Sequence, residues 1–434
     1  MKPTQRSSEG ITWRKNKPLE KGLATEAVVT SSPNIADEYD VIVIGARFAG
    51  LVAARDLSST ASTLLVEARD RIGGRTWVAR DIISLPSPTG PADYHFTTNN
   101  QTTTLNPPTT AQKLDKFYKD FISVNDTTPE AFLHPPFGNL GDASFIAAYD
   151  HLTAAQRLDQ MDVSPQDRPL FEAALQMFGL ARPEETGFLN VARYIASNDS
   201  GTKLLEKGGT YSLGGGGTTA LARSILADFT GDVLFRSPVV GISQDGDDGR
   251  VRVTMRDGRT ASARYVVNTM PLNVLSTITF SPPLSGFGRE VVERGHGGRG
   301  VKVILALEDG SVPRPFFASA ATSATTSSSG CDFVASFPKA VSPTDGSISR
   351  TVGFLTDLTT EASSGKILRS GTWACFSAGF EDGKYWDELR RGHGKGVMAS
   401  GDWAVGWWGF IDGAVEQGVI AAQRVKGLLR DVKV

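Results

Sequence analysis

The strongest constraint on the fold is the stretch from Tyr39 to Leu57, YDVIVIGARFAGLVAARDL. A continuous apolar run, Val41 to Ile44, ends at Gly45, as expected of a strand buried on both faces. Apolar residues then recur at helical spacing, and a second apolar run ends at Glu67. A strand, a glycine turn, a helix and a strand with a terminal acid predict an α/β fold, the first half of a doubly wound nucleotide-binding domain.

The turn after the first strand departs from the G-x-G-x-x-G pattern at its second glycine, which is Arg47 here. Gly45 and Gly50 keep the first and third positions, which serve the tight turn and the close packing of helix on strand. Arg47 adds a side chain where the backbone approaches a diphosphate, and it would strain the turn if that position needs positive φ. Its charge could offset this loss by pairing with phosphate.

A second glycine-containing segment, RDRIGGRTW, follows Glu67. Glu67 stands where a carboxylate would hold ribose hydroxyls. Gly73 and Gly74 permit close backbone approach, and neighbouring arginines supply charge near a phosphate. These arginines are Arg69, Arg71 and Arg75.

Composition excludes several classes of protein. Lys and Arg number 45 against 47 Asp and Glu, a net charge of −2, which does not favour nucleic acid as a partner. The two cysteines, Cys331 and Cys375, have no metal-type spacing. No apolar run is long enough for a membrane span. With no secretory signal pattern either, we expect an intracellular, cytoplasmic protein.

The rest of the chain alternates between helical and strand-like segments. Residues 81–110 are rich in Pro, Ser, Thr and Asn and are expected to form loop. Helical spacing returns from 111 to about 193, and strand-like segments follow between 233 and 270. The chain ends in a strand, a Gly/Trp-rich turn and a long helix.

Four segments together resemble the flavin-containing amine oxidases, specifically their fungal monoamine oxidase branch: IGARFAGL, LLVEARDRIGGRTW, VVNTMPLNVL and SGDWAVGWWGFIDGAVEQG. The resemblance implies a two-domain fold with a discontinuous Rossmann-type FAD-binding domain and a substrate domain of mixed sheet and helices. After an N-terminal arm (1–37), the FAD-binding domain is expected to comprise 38–90, 206–282 and 371–434. The substrate domain is expected to comprise 91–205 and 283–370.

By the same resemblance the cofactor is FAD, with its adenosine at Glu67 and its diphosphate at the first turn. Val239 matches a position that contacts adenine through its backbone, while Asp402 and Ile411 match the segment beside the ribityl chain and flavin ring. The full expected set is Gly45, Ala46, Arg47, Phe48, Ala49, Gly50, Glu67, Ala68, Arg69, Gly73, Gly74, Arg75, Val239, Asp402 and Ile411. Thr372 stands where covalently flavinylated relatives have Cys, and Cys375 is out of register, so noncovalent FAD is expected.

The resemblance also implies the chemistry, the oxidation of a primary or secondary amine with O2 as the electron acceptor. Trp373 and Phe410 match the two aromatic positions that flank the amine, and Lys302 matches a lysine that holds a water near the flavin. The reaction could be a tailoring step in secondary metabolism. The oligomeric state is open, with a homodimer as one option.

Three alternatives remain open at this point. The protein could be a flavin oxidase or desaturase of a larger metabolite. It could also be an L-amino-acid oxidase, which is less expected because no arginine is an obvious ligand for the substrate carboxylate, although Arg193 could be one. It could also be a degenerate, non-catalytic homologue, since Arg47 replaces a glycine and two segments differ from the family. These are the residues that follow Trp77 and the residues that precede Trp373.

Overall fold

The computed structural model describes residues 5–8, 11–12, 20–78, 93–98, 101–133, 140, 142–197, 213–246, 248–298, 300–306, 316–321, 333–339, 350–356, 373–382 and 384–431. Its strands are β1 (Gln5–Arg6), β2 (Ile11–Thr12), β3 (Glu20–Lys21), β4 (Ala24–Thr25), β5 (Glu38–Ile44), β6 (Thr63–Val66), β7 (Asp93–Thr98), β8 (Gln101–Leu105), β9 (Asp232–Leu234), β10 (Val239–Ser243), β11 (Val251–Met255), β12 (Thr260–Asn268), β13 (Thr279–Ser281), β14 (Gly300–Ala306), β15 (Phe316–Ala321), β16 (Phe333–Lys339), β17 (Arg350–Thr356) and β18 (Gly396–Met398).

The α-helices of the described residues are α1 (Phe48–Ser58), α2 (Pro107–Ile122), α3 (Ala143–Tyr149), α4 (Ala154–Asp159), α5 (Arg168–Gly179), α6 (Phe188–Ser197), α7 (Gly217–Ala227), α8 (Leu272–Leu275), α9 (Gly286–Arg294), α10 (Lys384–Arg391) and α11 (Ile411–Asp431). Among these residues no helix is both long enough and apolar enough to cross a membrane.

The chain divides into two compact units. The first unit comprises Met1–Ile83, Leu213–Gly295 and Lys384–Val434, and the second comprises Ser84–Ser212 and His296–Gly383. The first unit includes α9, which was expected in the substrate domain, and the second includes residues 373–382, which were expected in the FAD-binding domain. The cofactor-binding and substrate-binding roles of the two units stay predictions.

The first unit is built on one sheet in the order β13, β10, β11, β12, β5, β6, β9, with β18 also paired to β12. β12, β5, β6 and β9 are mutually parallel, as predicted for a doubly wound domain. β5 is buried from Val41 to Ile44 because the sheet is covered on both faces. The predicted α/β class is therefore confirmed.

Helices α1 and α11 pack against each other beside this sheet and share its apolar core. A Cβ atom added at Gly418 of α11 would lie 2.6 Å from the Ala49 carbonyl oxygen and 2.9 Å from Val52 Cβ. The two backbones thus approach to a distance that only glycine allows at this crossing. The last helix is thereby fixed against the helix that opens the nucleotide-binding motif.

Residues 1–37 were predicted to form an arm, but residues 22–37 are an integral part of the first unit. Ala27 is fully buried in the core, and its carbonyl oxygen accepts a hydrogen bond from Ile72 N (3.0 Å). Val29 N donates to Asp70 O (3.0 Å), and Ser32 N donates to Val233 O (2.8 Å). The polar composition of this segment did not indicate these contacts, because the hydrogen bonds are made by backbone atoms.

The second unit contains a sheet in the order β14, β17, β16, β15, β7, β8 and the helices α2 to α6. The helical prediction for 111–193 is confirmed. The loop prediction for 81–110 is wrong in part, because β7 and β8 pair antiparallel from Tyr94↔Leu105 to Thr98↔Gln101. Threonine is β-branched and favours strands, so a threonine-rich segment can pair without an apolar pattern.

Candidate cofactor site

The turn that follows β5 is held in shape by two glycines. Gly45 has φ +105°, and its N–H donates to Val66 O (2.7 Å) of the neighbouring strand. A Cβ atom at Gly45 would lie 2.6 Å from Thr269 Oγ1. A Cβ atom at Gly50 would collide with the Gly45 carbonyl oxygen and lie 2.8 Å from Thr269 Oγ1. The first and third glycines are therefore required by the fold itself.

Thr269 stabilises this turn by hydrogen bonds, and it was not predicted from the sequence. Its hydroxyl donates to Ile44 O (2.7 Å), and its N–H donates to the same oxygen (2.9 Å). It directly follows β12, which is parallel to β5. The carboxyl ends of neighbouring parallel strands meet at one edge, so the position after the VVN run is the signal that could have revealed it.

Arg47, at the position of the missing glycine, adopts an ordinary extended conformation with φ −87° and ψ 178°. It is the N-cap of α1, and its carbonyl oxygen accepts the first helical hydrogen bond from Leu51 N (2.8 Å). The strain that a positive φ would cause is absent. Any L-residue fits this backbone, so the effect of the replacement depends on the side chain alone.

Glu67 directly follows β6, is buried, and links the two turns through both of its carboxylate oxygens. Oε2 accepts from Ala46 N (2.7 Å) and Oε1 accepts from Arg69 N (2.9 Å). Each carboxylate oxygen has further acceptor capacity, so these bonds leave room for ribose hydroxyls. Contact with a ribose stays a prediction.

The second turn, in RDRIGGRTW, packs directly on the first. Gly73 N donates to Ala46 O (3.0 Å), and Gly73 and Gly74 have φ +86° and +57°. Both conformations favour glycine. Arg71, expected near a phosphate, is instead buried against Asp70 (Nη1 to Oδ1, 3.1 Å), and its guanidinium lies 4.5 Å from the centre of the Trp77 ring.

Arg75 reaches the C-terminal part of the first unit. Its Nη2 lies 2.6 Å from Oδ1 of Asp402, a fully buried carboxylate. The other oxygen, Oδ2, accepts from Leu272 N (3.0 Å), and Asp402 N donates to Ser400 Oγ (3.2 Å). Asp402, predicted beside the ribityl chain, is thus an anchor for Arg75 in this structure.

The remaining first-unit residues of the expected set lie around these turns. Phe48 and Ala49 are buried at the start of α1, while Ala68 is exposed. Val239 is buried at the start of β10. Ile411 is half-buried as the first residue of α11, and Phe410 just before it is 39% exposed and packs edge-on against Trp407.

The predicted substrate-side residues fall largely in the second unit. Trp373 is half-buried, and its indole N–H donates to Phe178 O (2.7 Å). Lys302 lies in β14, and its side chain lies outside the described part of the chain. Because Trp373 and Phe410 belong to different units, their pairing around an amine stays a prediction.

Two further side chains bear on the alternatives. Arg193 is fully buried on α6, and its guanidinium lies 4.3 Å from the centre of the Tyr194 ring, so no open arginine is offered to a substrate carboxylate there. Burial raises the pKa of Cys375 to about 12, which keeps the thiol protonated. Among the described residues no group of His, Cys, Asp or Glu has the arrangement of a metal site.

The charges around the two turns suit an anion. Three cations face two carboxylates at the amino end of α1, where unpaired helical N–H groups favour negative charge: Arg47, Arg69 and Arg75 with Glu67 and Asp402. A parallel sheet, a glycine turn and a positive helix terminus together define a dinucleotide-binding unit.

Comparison with known proteins identifies the family. The family model described as "Flavin containing amine oxidoreductase" matches residues 48–91 and 83–349, more than half of the chain. Pseudooxynicotine dehydrogenase from Pseudomonas sp is 27% identical over 459 residues, covering 94% of this chain and 90% of that protein. Amine oxidase [flavin-containing] B from Sus scrofa is 23% identical, covering 90% and 86%.

Among solved structures, cyclohexylamine oxidase from Brevibacterium oxydans IH-35A matches with a TM-score of 0.63 and 20% identity, covering 90% of this chain and 99% of that one. This likeness shows the shared fold. The chain belongs to the flavin-containing amine oxidoreductase family. Membership of the fungal monoamine oxidase branch stays a prediction.

FAD is the cofactor of this family, and the residues present fit it. The fit rests on two observations: Gly45, Gly73 and Gly74 hold positive φ in the two turns beside the amino end of α1, and the buried Arg47 Nη1 has no hydrogen-bond partner within the described residues. A diphosphate would meet both conditions because it needs close backbone approach and cationic donors.

Proposed function

We propose that the protein is an FAD-dependent oxidase of a primary or secondary amine. FAD supplies the two-electron chemistry at its flavin ring. In the net reaction the amine loses two electrons and two protons and becomes an imine, water converts the imine to a carbonyl compound and a free amine, and O2 becomes H2O2. Family membership over more than half of the chain is the observation that carries this proposal.

The first unit supplies the binding energy for the adenosine diphosphate part of the cofactor. The amide N–H groups at the start of α1 and the cations of the second turn face the diphosphate, and Glu67 holds the ribose. Thr372, at the position of a flavin-linking cysteine, offers no sulfur, and the Cys375 thiol is buried and protonated. The flavin is accordingly held without a covalent bond.

We assign the substrate side to Trp373 and Lys302 of the second unit and to Phe410 of the first unit. The indole of Trp373 is oriented by its hydrogen bond to Phe178 O, so that it offers a fixed aromatic face to an amine. Phe410 is the second aromatic face, and Lys302 holds a water near the flavin. A neutral amine, oriented between aromatic faces with water excluded, requires no acidic side chain for its oxidation.

The names of the relatives support a proposal for the substrate class. The relatives described above include proteins named for pseudooxynicotine and cyclohexylamine. We propose that the substrate is an amine of this size range. We also propose that the protein is a cytoplasmic tailoring enzyme of secondary metabolism. Its oligomeric state, with a homodimer as one option, can be measured on the same purified protein.

The visible spectrum of the purified protein, before and after denaturation, tests the cofactor. Flavin absorption that appears in the supernatant establishes noncovalent FAD, and an amine panel with peroxide detection then tests the reaction. Flavin reduction without peroxide, seen only with a larger metabolite, would favour the desaturase alternative. A colourless protein that takes up no added FAD would contradict the proposal and favour a degenerate homologue.

A further inference from the structure

Arg47 stands where the family turn has a glycine, and its backbone carries no cost for the replacement because its φ is −87°. Any functional effect of this residue therefore comes from its guanidinium. The family resemblance cannot supply a role for this side chain, since a glycine has none. The role has to be inferred from the surroundings of Arg47 itself.

The side chain of Arg47 runs over the second turn and interlocks with it. A Cβ atom at Gly74 would collide with Arg47 Cγ and would lie 2.5 Å from Nε and 2.7 Å from Cδ. Gly74 thus leaves the space in which the arginine lies. The Arg47 side chain therefore packs directly against the second turn at the amino end of α1.

The carboxylates near Arg47 are already engaged by other groups. Asp402 accepts from Arg75 (2.6 Å) and Leu272 N (3.0 Å), and Glu67 accepts from Ala46 N and Arg69 N. Nη1 of Arg47 is buried and makes no hydrogen bond within the described residues. A buried charged donor without an acceptor is costly, so an anion is the partner that this environment calls for.

Charge reinforces the geometry. Burial first, and then repulsion from Arg75, lower the pKa of Arg47 to about 9, so the guanidinium is still protonated at pH 7. An approaching anion offsets both effects because it places an opposite charge beside the guanidinium and counteracts the repulsion from Arg75.

We propose that Arg47 is a direct ligand of the cofactor's diphosphate, and that its charge-assisted hydrogen bond takes the place of the close backbone approach that a second glycine would allow. This inference rests on the proposed FAD site. It makes the site selective for the diphosphate group itself, so that ADP binds without the flavin ring and adenosine binds without help from Arg47.

The test compares Arg47→Met with Arg55→Met in the full-length chain after removal of flavin. Methionine keeps the length and loses the charge in both variants. Arg55 lies on the same helix but is partly exposed and paired with Asp56 (2.8 Å). FAD binding is measured by quenching of flavin fluorescence, and ADP and adenosine are measured as competitors.

Arg47→Met should weaken FAD and ADP binding by about 10- to 100-fold, the range of a hydrogen bond to a charged group. Adenosine binding should stay unchanged, and Arg55→Met should match the original protein. Arg47→Gly should recover much of the affinity, since it restores backbone approach. A smaller salt dependence of ADP binding in Arg47→Met is the independent sign that a cation has been removed.

Equal ADP affinity in Arg47→Met and the original protein would overturn the inference and leave the proposed function intact. Tighter ADP binding in both Arg47→Met and Arg47→Gly would overturn it too, because the arginine would then be an obstruction. If Arg47→Met does not fold, Arg47→Gln replaces it under the same criteria. An original protein that binds neither FAD nor ADP would overturn the inference and the function together.

Discussion

The close packing of the first turn can be tested by one substitution at two glycines. Gly50 and Gly427 both lie within α-helices, α1 and α11. A Cβ atom at Gly427 meets nothing within 4 Å, whereas one at Gly50 collides with the Gly45 carbonyl oxygen and lies 2.9 Å from Gly45 C. Glycine to alanine therefore isolates the effect of one methyl group in open space and in a closed turn.

The two substitutions should change the free energy of unfolding in opposite directions. Gly427→Ala should raise the free energy of unfolding by about 0.5–1 kcal/mol, the difference in helix propensity. Gly50→Ala gains part of the same term but forces the backbone of the glycine turn to move. Overpacking costs about 1–3 kcal/mol, and a backbone atom yields less than a side chain. We therefore expect a cost at the upper end of that range and, after the helix-propensity gain, a net loss of about 2 kcal/mol.

The assay is chemical unfolding of the full-length protein without FAD, followed by tryptophan fluorescence and by circular dichroism. The two units need not unfold together, so midpoints are compared for each transition. FAD affinity is measured in parallel, and it should fall in Gly50→Ala alone because the shifted turn no longer fits the diphosphate. Equal midpoints for Gly50→Ala and Gly427→Ala would refute the packing argument.

Three further predictions concern the charges of the same site. Asp402→Asn should weaken FAD binding and lower the midpoint of unfolding, because an amide cannot pair with Arg75; an unchanged midpoint would mean that the ion pair contributes nothing measurable. FAD affinity should be constant from pH 6 to 8 and fall above about pH 9 as the guanidinium of Arg47 loses its proton in the cofactor-free protein, and the decline should vanish in Arg47→Met. The charged groups that face it are Arg69, Arg75, Glu67 and Asp402. Gly74→Ala should impair FAD binding in the original chain and do so less in the Arg47→Gly background, because the collision partner is gone; additive losses in this double-mutant cycle would contradict the interlocked packing.

The sign of the pH prediction follows from linkage. Arg47 is a base whose pKa is lowered to about 9 in the folded chain, so between about pH 9 and its ordinary, higher pKa the unfolded chain binds more protons. Without cofactor, the stability of the protein should therefore rise with pH across that window. A bound diphosphate favours the protonated form and should oppose this trend. Stability with FAD and stability without FAD should accordingly converge at high pH.

Local pattern was enough to predict the first turn and its surroundings. Three features lie close together in the sequence: the apolar run from Val41 to Ile44, the glycine at Gly45 and the acid at Glu67. Each can be predicted from the residues next to it. The hairpin of β7 and β8 was missed because its threonines satisfy a strand without alternating apolar residues. Pairing partners far apart in sequence leave no local signal at all.

The ion pair of Arg75 and Asp402 shows this limit most clearly. The two residues are 327 positions apart, and nothing near either one indicates the other. The resemblance placed Asp402 beside the flavin and Arg75 at the diphosphate, as separate contacts with the cofactor. In the structure the Asp402 carboxylate also binds the Arg75 guanidinium directly, so it orients this arginine without any ligand.

That connection changes how the replaced glycine should be understood. If Asp402 accepted a hydrogen bond from Arg47 instead, this guanidinium would have an acceptor within the protein and would gain less from a diphosphate. Because Arg75 and Leu272 N already bind Asp402, Arg47 Nη1 makes no hydrogen bond to it, and the three cations and two carboxylates at the amino end of α1 keep a net charge of +1. Releasing Asp402, as in Arg75→Met, should therefore let it pair with Arg47 and weaken ADP binding more than the loss of one cation would. Affinity losses in Arg75→Met and Arg47→Met that add in the double variant would refute this redistribution of charge, whereas a sub-additive loss would support it.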